Sequence, residues 1–178
     1  MALKNKSMYA ILGILSLSPG TGYDIKKYCD RVLSGVWNEN FGHIYPTLKK
    51  LSEYGWIENV SRDTSSRKVE YQITEKGEQE FRAWLLEETL LQPVRSEFML
   101  KLLFSNSLPK EHIIRMLNDY KEIHEKKLGQ YLQIQKDLEK GIEEITKERS
   151  RFIKAVLRKG IISCQGTILW CEEAIKDI

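Results

Sequence analysis

Apolar residues recur along the chain with two different periods, and the switches between them mark out the elements. Ile44, Leu48 and Leu51 stand four and then three residues apart inside "FGHIYPTLKKLSEYGWIE" (41–58), the spacing of one helix face. Upstream, Met8–Leu17 is apolar on most sides and predicts a buried first helix over Lys6–Leu17, stopped by "SPG" at Ser18–Gly20. A second helix opens at Thr21, where "TGYD" has the Thr-x-x-Asp pattern of a helix start. It runs to about Leu33, with Ile25, Tyr28, Cys29 and Val32 on one face. Gly35 and Asn38 punctuate before the third helix, which ends at Gly55. The period then falls to two. Val69, Tyr71 and Ile73 alternate with Lys68, Glu70 and Gln72, and the polar "SRDTSS" separates them from an earlier strand-like run. That predicts a β-hairpin whose loop is too long for a two-residue turn. Thr74 caps a fourth helix with Phe81, Trp84 and Leu85 as its stripe.

Past "LLQPVRSE" the character changes. Pro93 marks a connection, "EFMLKLLFSNSL" predicts a short apolar helix, and Pro109 suits the first turn of a long one. The stripe of that long helix runs Ile113, Leu117, Tyr120, His124, Leu128, Tyr131, Leu138, Ile142 and Ile145, with Gln135 interrupting. Such three-and-four spacing predicts a coiled-coil-like seam. A last helix, roughly Glu148 to Lys176, carries Phe152, Val156, Leu157, Ile161, Ile168, Leu169 and Trp170. The chain therefore reads as mainly α with a small β-hairpin. Three short helices and a hairpin, the layout of a winged helix-turn-helix, occupy residues 1–90; a helical domain occupies 91–178.

Pro46 lies inside the third helix, where a missing N–H and a bulky ring normally do damage. With Ile44, Leu48 and Leu51 facing inward, Gly42, Pro46 and Glu53 fall on the outward face, flanked by His43, Tyr45, Lys49 and Lys50. The carbonyl that Pro46 crowds is that of Gly42, near the first turn, where backbone groups lack helical partners anyway. The break therefore sits at the exposed N-terminal end and leaves it slim. A slim end suits a recognition helix, which touches bases with its N-terminal residues. Lys49 and Lys50 then suit phosphates, Tyr45 a phosphate or base edge, and His43 a base edge. A kinked surface helix with solvated lysines is the plainer reading of the same residues.

Charge moves the balance slightly. The 178 residues carry a formal net charge of +3. Met1–Ile73 holds ten Lys and Arg against seven Asp and Glu, while by Leu90 there are twelve of each. The basic excess thus lies with the three helices and the hairpin, where Arg62, Arg67 and Lys68 bracket the loop within reach of a phosphate backbone. Three cysteines without ligand spacing predict no metal and a reducing, cytoplasmic setting. Lys4 and Lys6 before an apolar run have the outline of a signal peptide, but the run ends in "SLSPGTGYD" without a cleavage site and is too short to span a membrane. No phosphate loop, nucleophile elbow or paired acid motif appears, so no catalytic residue and no cofactor is expected.

"YAILGILSLSPGTGYDIKKY", "WNENFGHIYPTLKKLSEYGWIE" and "RKVEYQITEKGEQEFRAWL" together resemble the PadR family of bacterial transcriptional regulators. The Gly-x-Ile-Tyr-Pro-x-Leu core and the Lys-x-x-Tyr-x-Ile-Thr-x-x-Gly segment carry most of the likeness. The following "EFMLKLLFS" and Trp170 look like the subgroup with a longer helical dimerisation domain. The resemblance implies a homodimer, usually a repressor, that binds an inverted repeat of double-stranded operator DNA. It carries DNA contacts onto Tyr23, His43, Tyr45, Pro46, Lys49 and Lys50, with Arg62, Arg67 and Lys68 from the wing. It also implies a pocket for a small aromatic, for example phenolic, effector between the domains. His43 stands where Gln is common in the family, which leaves the base preference there open.

Several features keep two readings. The long seam packs either on the last helix of its own subunit or on a second subunit; Ile113, Leu117, Tyr120, Leu128, Tyr131, Leu138 and Trp170 are the dimerisation candidates. DNA geometry favours the dimer, because two recognition helices one turn apart read a pseudo-palindrome. His124 is either a ligand-contacting or pH-responsive group or a packed histidine. Cys164 and Cys171, seven apart, are either sensors or small buried hydrophobes. The rival class for the whole chain is a winged-helix module that meets a protein partner.

Overall fold

Helix α1 (Lys6–Leu15) is the hub of the first half of the chain: Met8, Tyr9, Ile11, Leu12, Ile14 and Leu15 are all buried. A computed structural model describes residues 6–33, 37, 39–61, 69–89, 95–140 and 146–178. Two units emerge, Met1–Leu90 and Leu91–Ile178. In the first, α1 is followed by strand β1 (Gly20–Thr21), helix α2 (Gly22–Tyr28) and helix α3 (Phe41–Glu53). Strands β2 (Ile57–Asn59) and β3 (Glu70–Ile73) and helix α4 (Glu75–Leu85) complete it. Ile25 from α2 and Cys29 just after it, Ile44, Leu48 and Leu51 from α3, and Ile57 and Ile73 from the sheet join α1 in one core.

Local chemistry explains the boundaries. Thr21 and Asp24 form a full capping box at the start of α2, each side chain taking the other's backbone N–H at 3.2 and 2.9 Å. Helix α3 stops at Gly55, whose φ of +68° is the left-handed conformation that glycine adopts freely. The Trp56 N–H then returns to the Leu51 carbonyl at 2.9 Å and the Gly55 N–H to that of Ser52 at 2.9 Å, a Schellman closure. Thr74 joins the elements that meet here. Its N–H donates to the Trp56 carbonyl at 3.0 Å, its hydroxyl donates to the Gly55 carbonyl at 2.8 Å, and the same oxygen accepts the Gly77 N–H. Tyr9 stacks on Trp84 at 4.6 Å between ring centroids and so fastens α4 to α1.

The second unit holds α5 (Glu97–Leu103), a 3₁₀ turn (Ser105–Ser107), and the helices α6 (Lys110–Lys140) and α7 (Lys147–Asp177). Helices α6 and α7 bury Tyr131, Leu138, Leu157, Ile161 and Cys164 against each other. Gly160 gives the Tyr131 ring its place, since a Cβ there would lie 2.8 Å from the ring.

Three details depart from the sequence reading. The predicted two-stranded hairpin is a three-stranded antiparallel sheet, ordered β1-β3-β2, with Gly20 opposite Tyr71. A two-residue strand has no period to read. The second helix keeps its expected length but widens to a π-helical turn over Cys29–Leu33. Helix α1 ends at Leu15, two residues early, its last turn closing from the Ser16 N–H to the Leu12 carbonyl. Gly35, Asn38, Pro93, Ile142 and Ile145, together with the wing residues Arg62, Arg67 and Lys68, lie outside the described residues.

A Cβ on Gly77 would sit 2.0 Å from the Trp56 carbonyl oxygen, so α4 has to leave β2 to admit one. Gly77→Ala should lower unfolding free energy by about 2–3 kcal/mol in urea denaturation. Gly129→Ala, in open space on α6, should instead add about 0.5–1 kcal/mol. Equal stability of Gly77→Ala and wild type would contradict this packing.

Candidate nucleic-acid interface

Helix α3 begins under the control of two neighbouring side chains. Asn40 is its N-cap, accepting the His43 N–H at 3.0 Å. Before it, the buried Glu39 accepts the Trp37 indole N–H through Oε1 at 2.6 Å. Its Oε2 lies 3.6 Å from His43 Nδ1. Beyond the first turn, Ile44, Thr47, Leu48 and Leu51 are buried. The opposite face shows Gly42, His43, Tyr45, Pro46, Lys49 and Lys50 to solvent. Lys49 reaches Glu53 only at 4.0 Å, with both groups exposed, so the pair hardly restrains it.

The start of α2 meets this face at one point. Gly22 is buried beneath the Tyr45 ring, where an added Cβ would approach ring carbon at 2.8 Å. Tyr23, the next residue, is 65% exposed. Tyr45 is itself 54% exposed and pairs with Phe41 at 6.1 Å between centroids. Behind it, the Tyr71 hydroxyl is raised above its ordinary pKa by burial and then by the nearby Tyr45. A hollow of about 250 Å³ lies between the start of α1 and this surface, lined by Ser7, His43, Pro46, Thr47 and Lys50 among others. At the wing base, the Val60 N–H donates to the Glu70 carbonyl at 2.9 Å and the Glu70 N–H to Ser61 Oγ at 2.9 Å. The structure therefore brings His43, Tyr45, Pro46, Lys49 and Lys50 onto one face, with Tyr23 beside it.

In the second unit, Phe98 of α5 stacks on Tyr120 of α6 at 3.8 Å and meets Trp170 of α7 edge-on at 6.3 Å. An open groove of about 760 Å³ runs beside this cluster, walled by Phe98, Phe104, Leu108, Met116, Tyr120 and Ile123. Of the dimerisation candidates, Leu117, Tyr131 and Leu138 are buried within the chain, while Ile113, Tyr120, Leu128 and Trp170 are half-buried. Apolar surface also remains open at Ile123, Phe152, Ile162 and Leu169. Lys121 joins α6 to Glu172 of α7 at 2.7 Å. All three thiols are buried and pushed up by that burial, Cys29 to about 11. Among the described residues no cluster of potential metal ligands occurs, and no helix is long and apolar enough to cross a membrane.

Two family models match the chain in succession. The transcriptional regulator PadR-like family covers residues 11–83, and the virulence activator alpha C-terminal family covers 94–178. The negative transcriptional regulator PadR of Bacillus subtilis (strain 168) is 34% identical over 124 residues, 68% of each chain. The chain belongs to the PadR-like family of transcriptional regulators. Among solved structures, Bacillus subtilis PadR in complex with operator DNA superposes with a TM-score of 0.85 at 29% identity, covering 99% of both chains. The same Bacillus subtilis protein in complex with p-coumaric acid gives 0.78 at 28% identity, over 95% of this chain and 96% of that one. The PadR-like layout, a winged helix-turn-helix followed by a helical domain, is the one expected from the sequence.

Nothing in the sequence marks Glu39. A lone glutamate before a helix reads as a surface acid, and only the fold buries it. Asn40 carried a signal, as an N-cap residue directly before an apolar-periodic run.

His124 meets the Tyr120 ring at 4.7 Å, and its Nδ1 is buried with no hydrogen-bond partner among the described residues. Burial, and then the charge of Lys127, lower its pKa from the ordinary 6.5. The unfolded chain thus takes up this proton more readily than the folded one, so stability falls as pH drops below about 6.5 and levels off once the folded group is protonated. His124→Leu should flatten that slope in thermal melts followed from pH 7.5 to 5.5. A slope identical to wild type would contradict the assignment.

Proposed function

We propose that this PadR-like regulator is a homodimeric repressor whose two α3 helices enter successive major grooves of a pseudo-palindromic operator. One observation carries the reading: the α3 face that presents Tyr45, Pro46, Lys49 and Lys50 is exposed along its length, while the opposite face is fully committed to the core. Gly42 and Pro46 keep that face thin near its N-terminal end, where base edges are read. His43 and Tyr45 act at base edges, Lys49 and Lys50 at phosphates, and Tyr23 flanks them from α2. Arg62, Arg67 and Lys68 of the wing are assigned to the neighbouring backbone. The operator complex of the similar Bacillus subtilis protein supports this reading, and the description of that protein as a negative regulator supports repression.

Residues 1–90 then form the DNA-binding domain and 91–178 the dimerisation domain. Ile113, Tyr120, Leu128 and Trp170, with surface still open, meet the second subunit; Leu117, Tyr131 and Leu138 hold the helices beneath them. The p-coumaric acid complex of the Bacillus subtilis protein supports a small aromatic effector, for which the groove beside Phe98 is the candidate seat in this chain. By binding one spacing of the two recognition helices better than the other, the effector would draw the population away from DNA. The protein performs no catalysis and works in the cytoplasm, beside the DNA it regulates.

Selection of bound fragments from the host genome supplies the operator for the decisive measurement. Affinity should fall steeply with salt, and Lys49→Ala with Lys50→Ala should weaken binding to all sequences alike while reducing the salt slope by about 2. Salt-independent binding, or no footprint on any selected fragment, contradicts the reading. Aromatic acids such as p-coumaric acid should release the bound fragment; operator affinity unchanged across such a panel defeats the effector step.

A further inference from the structure

Glu39 holds an unusual position for a carboxylate. Its side chain is 2% exposed, directly before the N-cap of α3, although the side chain it faces, His43, is 67% exposed. Oε1 is satisfied by the Trp37 indole at 2.6 Å. Oε2 is buried and has no hydrogen-bond partner among the described residues. The positive end of α3 favours the negative charge there, yet a buried carboxylate oxygen still demands a proton donor. The group set against it is His43 Nδ1, at 3.6 Å, slightly beyond hydrogen-bond length. A small rotation of the exposed imidazole closes that gap at little cost, whereas Glu39 is locked by burial and by Trp37.

We infer that Glu39 is a positioning residue: by accepting a hydrogen bond from His43 Nδ1–H it holds the ring proton there, which makes the outward-facing Nε2 an acceptor and so sets which base edge His43 reads. A neutral imidazole carries one proton. With that proton on Nδ1 and directed at Glu39, Nε2 faces outward as an acceptor. In the major groove an acceptor pairs with the amino groups of adenine or cytosine and is refused by the O6 of guanine and the O4 of thymine. The inference rests on the reading of α3 as the groove-facing helix.

Trp37 makes the test sharp, because an indole N–H only donates. In Glu39→Gln the amide oxygen must stay with Trp37, which turns the NH₂ group toward His43. Nδ1 then becomes the acceptor and the ring proton moves to Nε2. The full-length chain, labelled with ¹⁵N-histidine, is measured by long-range ¹H–¹⁵N correlation at about pH 8.5, roughly two units above the ordinary imidazole value. With three histidines in the chain, His43→Gln assigns the signal by its loss.

Wild type should show His43 protonated on Nδ1 and Glu39→Gln should show it on Nε2; adding Trp37→Phe to Glu39→Gln frees the amide to rotate and should restore the wild-type tautomer. Selection from randomised duplexes at the same pH should admit guanine and thymine in Glu39→Gln at one position per half-site where wild type takes adenine or cytosine, by roughly fivefold, with cytosine lost most because adenine N7 also accepts. An Nε2–H tautomer in wild type overturns the inference without recourse to any variant. An unchanged base preference in Glu39→Gln overturns it while leaving DNA binding by α3 intact. A wild type that selects no sequence overturns both.

Discussion

Burial of one face of α3 is the constraint on which the rest of the first unit depends. Ile44, Thr47, Leu48 and Leu51 leave almost no surface to solvent. Because they repeat at helical spacing, the residues between them have no choice but to face outward. The core that receives them is α1, apolar on nearly every side for that reason. Thr74 and Gly77 then secure the sheet and α4 around the end of α3, through three hydrogen bonds and one close backbone approach. Pro46 fits this scheme. It weakens the helix on the side where no core packing needs it, and it removes bulk from the exposed face.

In the second unit the same logic gives a different result. Helices α6 and α7 bury Tyr131, Leu138, Leu157 and Ile161 between themselves, so the α6 seam is engaged within its own chain. Ile123, Phe152, Ile162 and Leu169 nevertheless stay open. For helices of 31 residues, that much residual apolar surface is what a second copy of the chain would cover. The buried thiols Cys164 and Cys171 behave here as small hydrophobic residues, since burial raises both pKa values and disfavours the reactive thiolate.

How much of this was legible in the sequence depended on whether a feature repeats. The α3 stripe, the Thr21–Asp24 cap and the alternation of Tyr71 and Ile73 each recur or pair at a fixed offset, and the elements they predict are present. Strand β1 and the π-helical turn after Tyr28 escaped because two residues and a widened turn leave no period behind. The α6 stripe showed that a face is apolar without showing whose surface covers it, for periodicity is blind to chain identity. Glu39 was invisible for a deeper reason: burial of a single charge is a property of the assembled core, and no local pattern announces it.

The central claim is that the exposed face of α3 lies in a major groove. A crystal structure of the full-length chain bound to a DNA fragment selected from its own genome tests this most directly. Tyr45 and Pro46 should lie against base edges in the major groove, with Lys49 and Lys50 at flanking phosphates. A duplex bound elsewhere on the chain, with α3 remote from it, would contradict the account.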